Sequence, residues 1–135
     1  MKIAAVLETC LYTRDLAACR AFYTEILGLE CVEFSPRRHA FFRLSQGMLL
    51  LFDPDSTLHG ALPPHGADGP GHIAFAVTEG EIDAWIRQLQ QHEVRVERLH
   101  TWPGGGRSIY FRDPAGNSVE ITTPRIWGLA DVVPA

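Results

Sequence analysis

The chain has 135 residues, enough for one domain that buries a core without help from disulfides or metal. Twelve Lys and Arg against sixteen Asp and Glu give a net charge of -4. With no cationic cluster, this argues against nucleic acid or an anionic membrane as partner and leaves a small molecule. Cys10, Cys19 and Cys31 are odd in number and form no C-x-x-C pair, so they read as reduced thiols of a cytoplasmic protein. Five apolar residues before Glu8 are too few for a signal h-region. No apolar run approaches the roughly 20 residues of a membrane span.

In chain order, Val6 to Thr13 alternates as a strand. Asp15 can cap a helix whose apolar positions Leu16, Cys19, Phe22, Tyr23 and Ile26 recur at helical spacing. Gly28 stops that helix, and strands are expected over Glu30 to Phe34, Ala40 to Leu44 and Met48 to Phe52. Residues 58–70, rich in Pro and Gly, read as a linker. The same order then returns: strand His72 to Val77, helix Glu81 to His92, and strands Val94 to Leu99, Ser108 to Arg112 and Ser118 to Thr122.

Fixed offsets support a repeat. Phe42-Arg43, three residues and Gly47 answer Phe111-Arg112, three residues and Gly116. Glu8 precedes Asp15 by seven residues, as His72 precedes Glu79. Two copies of a βαβββ module follow, about 5–57 and 71–124, with a tail over 125–135. Each is too small to bury both faces of its own sheet. In the closing strand Ser118-Val119-Glu120-Ile121-Thr122, alternation puts Val119 and Ile121 on one face and Glu120 on the other. That second face is either open to water or the lining of a polar site.

The segments L-Y-T-R-D-L, A-F-Y-T-E-I-L-G-L, G-P-G-H-I-A-F-A-V and S-I-Y-F-R-D-P-A-G-N-S-V-E-I resemble the vicinal oxygen chelate superfamily, which includes glyoxalase I, fosfomycin-resistance proteins, bleomycin-binding proteins and extradiol dioxygenases. The resemblance implies a single glyoxalase-like domain over 1–135, an α+β fold of two paired βαβββ modules forming a curved, barrel-like cleft. It also implies a homodimer and a divalent metal held by Glu8, His72 and Glu120. Position by position, the fourth corner of the glyoxalase pattern falls on Leu51, or on Leu50 with a slip of one residue. One imidazole and two carboxylates suit Mn, Fe, Ni, Co or Zn. The implied function is Lewis-acid catalysis of lyase, isomerase or hydrolase type on a small oxygenated substrate that chelates through vicinal oxygens, with Glu120 or Glu8 as candidate base. An alternative resembles the bleomycin-resistance branch, a non-catalytic protein that sequesters a small molecule. A third reading is a site fallen out of use, its three residues joined by hydrogen bonds and water.

Taken singly, Glu8, His72 and Glu120 are more often solvated or strand-edge residues; agreement with one template lifts them. Arg107 and Arg112 flank the Ile109-Tyr110-Phe111 strand and are candidates to grip an anionic substrate, although Arg112 can equally serve local carboxylates or carbonyls. Tyr110 is a candidate proton donor and Trp102, opening a Gly-rich hairpin, a candidate substrate contact. His39, His59 and His65 are expected in solvent, and Ile126 and Trp127 are expected to dock on the body or a partner.

Overall fold

The protein is described here by a computed structural model covering residues 1–133, which divides into two compact units, Met1–Gly69 and Pro70 onward. In the first, Thr13 Oγ1 accepts from the Asp15 amide and the Asp15 carboxylate accepts from the Ala18 amide, which starts helix α1 (Leu16–Ala21). The helix continues through a wider π turn, Phe22–Ile26. The Thr24 hydroxyl donates to the Arg20 and Ala21 carbonyls there. Both aromatics of this turn face inward, Phe22 at 6% and Tyr23 at 0% exposure, as neighbouring positions on the apolar stripe of a helix do.

Strands β1 (Glu8–Tyr12), β2 (Glu30–Ser35), β3 (His39–Leu44) and β4 (Gly47–Phe52) form one sheet in the order β1-β4-β3-β2. β1 runs parallel to β4, and the other pairs are antiparallel. Leu11, Ala40, Phe42, Leu49 and Leu51 line the face packed under the helix. Each large side chain buried there contributes roughly 1.5–3 kcal/mol relative to exposure. A short helix, α2 (Pro54–Thr57), follows, capped by Asp53; it falls just before the expected linker and was not anticipated.

The second unit repeats the plan. β5 (His72–Ala76), α3 (Ile82–Gln91), β6 (Val96–Thr101), β7 (Arg107–Arg112) and β8 (Ser118–Thr122) give a sheet in the order β5-β8-β7-β6 with the same parallel pair. Ile73, Ile109, Phe111, Val119 and Ile121 pack with Ile82 and Leu89 of α3. The Val94 amide donates back to Leu89 O at 2.9 Å, so β6 begins two residues later than expected. Among the described residues no helix is long and apolar enough to cross a membrane.

Register corrects three expectations. Arg43 pairs with Met48 while Arg112 pairs with Ser118, so the second hairpin holds one more residue and Gly47 answers Asn117, not Gly116. Leu50, paired with Cys10, therefore occupies the position of Glu120, paired with Ala74; Leu51 lies on the core face. His39 is not in solvent. It is 6% exposed on β3 because its ring stacks on Phe41 and its nitrogens are taken by Arg38 and Glu33. Ile126 packs beside Gly106, and Trp127 is 79% exposed.

Candidate metal centre

The Asp113–Asn117 turn builds the centre of the second unit. Asp113 accepts from the Ala115 and Asn117 amides and from Asn117 Nδ2, each at 2.9 Å. Gly116 takes φ +84°, which a side chain would resist. Asn117 Oδ1 then accepts from the Gly71 amide at 2.8 Å, and Gly71 O accepts from the Ser118 amide at 2.9 Å. These bonds bolt the start of β5 to the start of β8, so His72 sits beside Ser118 and Glu120 projects from the same face two residues further on.

His72 Nδ1 lies 3.1 Å from Ser118 O. A carbonyl only accepts, so this nitrogen carries a proton. The other ring nitrogen, Nε2, lies 3.3 Å from Glu120 Oε2. Glu120 is 5% exposed, and its Oε1 is buried without a hydrogen bond of good geometry, although the Tyr110 hydroxyl lies close enough to interact with the carboxylate. A buried carboxylate oxygen without a partner is costly, and an unprotonated Nε2 beside it would add to the conflict. A shared cation or a proton on Nε2 resolves the conflict, and an imidazole with a carboxylate is a donor set suited to a divalent first-row metal.

Across the sheet the same face carries Ser108, Tyr110 and Arg112 of β7 and Arg98 and His100 of β6. Burial pushes the Tyr110 hydroxyl above the usual phenol range; the Ser108 hydroxyl opposes this and the Glu120 carboxylate adds to it. Arg107 is committed to Glu79 at 3.2 Å and Asp83 at 2.7 Å, and Arg112 to Glu97 at 2.9 Å and Gly116 O at 3.0 Å. Trp102 Nε1 donates to Ser108 Oγ at 2.8 Å, and Ser108 donates to Thr122 Oγ1 at 2.9 Å. This relay pins the hairpin that Trp102 opens.

In the first unit the matching face carries Glu8, Cys10, Leu50, Phe41 and Phe52. Glu8 is exposed at the start of the edge strand. Burial first, and then the Glu8 charge, raise the Cys10 thiol above its ordinary value. Among the described residues no three His, Cys, Asp or Glu side chains form a group that could hold a metal ion. The second unit thus presents a pair of donors, His72 and Glu120.

The repeated βαβββ plan is matched by a family model, Glyoxalase/Bleomycin resistance protein/Dioxygenase superfamily, over residues 3–121. The chain belongs to this superfamily. Among solved structures it is similar to one titled as lactoylglutathione lyase from Agrobacterium tumefaciens, at 42% identity and TM-score 0.91, covering 96% of this chain and 100% of that one. It is also similar to a glyoxalase/bleomycin resistance protein/dioxygenase from Nocardioides, at 25% identity and TM-score 0.73, covering 91% and 85%. Among curated proteins it is 27% identical to metallothiol transferase FosB of Staphylococcus epidermidis over 91% of this chain and 84% of that protein. In this superfamily member each of the two units carries its own four-stranded sheet of the same strand order.

Proposed function

We propose that this superfamily member is a cytoplasmic, homodimeric, metal-dependent enzyme of lyase, isomerase or hydrolase type, acting on a small oxygenated substrate that chelates through vicinal oxygens. The observation that carries the reading is the His72–Glu120 pair, 3.3 Å apart, with Glu120 Oε1 buried and lacking a hydrogen bond of good geometry. Glu8, from the first unit of a chain, would complete the ligand set with His72 and Glu120. The bound metal would supply Lewis acidity toward a substrate oxygen.

The chain's own residues would do the rest. His72 is oriented by Ser118 O through Nδ1, which leaves Nε2 as the nitrogen that would hold the metal. Leu50 offers no carboxylate at the fourth corner, so Glu120 or Glu8 would take the proton during turnover. Tyr110, its pKa raised, remains protonated at neutral pH and can return one. Similarity to a lactoylglutathione lyase and to a metallothiol transferase supports an enzyme without choosing between those reactions.

A second reading rests on a different observation. Leu50, Phe41 and Phe52 give the first unit an apolar, aromatic face where the second is polar, which suits a protein that sequesters a ligand. One experiment separates the two. The thermal midpoint of chelator-treated protein is titrated with Mn(II), Fe(II), Co(II), Ni(II) and Zn(II). A metal binding only the native state adds about 2.7 kcal/mol of stability at a hundredfold excess over Kd. The shift is expected with at least one metal and is expected to vanish in Glu120→Ala and His72→Ala. No shift with any metal would overturn the enzyme reading and favour sequestration, or a site fallen out of use.

A further inference from the structure

The first unit's site face ends in an aromatic cluster that the chain itself covers. Tyr12 and His39 both pair with Phe52 in register, so the three side chains share the face that carries Glu8, Cys10 and Leu50. This face lies opposite the one packed under the helix, yet Phe52 is only 6% exposed. Its ring is met by Phe41 at 5.3 Å, by the Arg38 guanidinium at 5.5 Å and by the His65 ring at 5.1 Å. Phe41 and Arg38 belong to β3 and the turn before it, whereas His65 comes from the segment after α2.

That segment, residues 58–68, leaves the body and returns to it. The His65 amide donates to Thr57 O at 3.2 Å, which closes the loop at its base. Tyr12 Oη and His65 Nδ1 share a hydrogen bond at 2.7 Å. Arg14 donates to Asp55 at 3.1 and 3.2 Å and to Asp68 at 3.1 Å, so one guanidinium ties the end of the loop to α2. Pro63 and Pro64 keep the arm that delivers His65 extended. Gly60 and Gly69 stand in open space on either side of it, Gly69 with φ +84°. The anchoring side chains of Arg14, Asp55 and Asp68 are 57%, 68% and 85% exposed. Exposed ion pairs are weak and screened by salt. A stiff arm between glycines, held by such anchors, opens well before the sheet beneath it unfolds.

We propose that residues 58–68 form a strap that gates the Phe52 end of the first unit's site face, with Tyr12 and Arg14 as its latch and Gly60 and Gly69 as its hinges. Closed, the strap holds the His65 ring on Phe52. Open, it uncovers Phe52 to an incoming ligand, and closing again over that ligand shuts out water. The strap rests on contacts within the first unit alone; its gating role rests on the reading that this face lines a small-molecule site. Salt favours the open state, because it screens both ion pairs of Arg14.

The test uses the full chain, labelled with nitrogen-15 and free of metal. Arg14→Gln removes both ion-pair anchors and leaves the face untouched; His65→Ala removes the covering ring. In Arg14→Gln the His65 amide is expected to exchange with solvent about fivefold faster, as the loss of two exposed ion pairs allows, while the amides of β3 and β4 keep their rates. Added NaCl should quicken exchange at His65 in the wild type and not in Arg14→Gln. The probe of the uncovered face is 1-anilinonaphthalene-8-sulfonate. Its emission should rise in both variants, and the amide shifts it causes should centre on Phe41, Leu50 and Phe52. An unchanged His65 rate in Arg14→Gln, or one that rises equally across β3 and β4, overturns the latch and with it the strap. A faster His65 amide without probe binding at Phe52 in either variant overturns the gate, since the strap then covers nothing a ligand can reach. Both readouts are independent of the His72–Glu120 centre. If no metal shifts the thermal midpoint while the probe enters at Phe52, the metal-dependent reading fails and the gate stands.

Discussion

Asp113 is 4% exposed, and its carboxylate gathers the Ala115 and Asn117 amides and Asn117 Nδ2 into one turn. Asp113→Ala would strand those donors, and a loss of about 3 kcal/mol is expected from urea unfolding. Because Asn117 holds Gly71 next to β8, the same variant should also weaken metal binding at His72 and Glu120. A loss under about 1 kcal/mol would show that water satisfies the turn as well as Asp113 does. The turn itself was legible in D-P-A-G-N, since proline and glycine set its dihedrals locally. Its bond to Gly71 was not, because those partners are 46 residues apart.

Among elements, the entry to α3 gives the clearest pH response. The Thr78 hydroxyl and then the Thr78 amide donate to Glu81 at 2.7 and 2.8 Å and hold its carboxyl below its ordinary value of 4.5. A depressed folded pKa means the contribution is fully present above about pH 4.5 and fades as pH falls through the lower folded value. Glu81→Ala is expected to lose about 1 kcal/mol at pH 7, as helix caps do. The gap from wild type in thermal midpoint should close below about pH 4.5. A gap independent of pH would assign the effect to helix propensity instead. The strands show the limit of pattern reading. Alternation puts Val96, Arg98 and His100 on one face of β6, yet the bulge pairs Val96 with Phe111 and Arg98 with Tyr110, which face opposite ways. The first unit carries a bulge at the matching place, between Cys31 and Glu33.

For the whole molecule, the proposed ligands come from two units, Glu8 from the first and His72 with Glu120 from the second. In a homodimer whose clefts are completed by the other copy, mixing Glu8→Ala with Glu120→Ala chains leaves one intact site in each mixed dimer. After full subunit exchange, about a quarter of all sites should bind metal, although neither variant binds alone. Such recovery, measured by bound metal after gel filtration, would show that Glu8 of one chain meets His72 and Glu120 of the other. Its absence in demonstrably mixed dimers would mean that each chain forms its own site. Trp127, exposed at the end of the body, is a convenient fluorescence reporter of that exchange.

The sequence by itself determined the repeat, the D-P-A-G-N turn, the family and the face on which Glu120 lies, because each depends on periodicity and turn chemistry acting over a few residues. The tertiary structure decided that Leu50 fills the fourth corner, that His39 is buried between Arg38 and Glu33, and that Arg107 and Arg112 are held by nearby acids. Those outcomes turn on cross-strand register and on which acid each base meets. Both are set by hydrogen bonds between segments far apart in the chain, where a shift of one residue reverses every side chain.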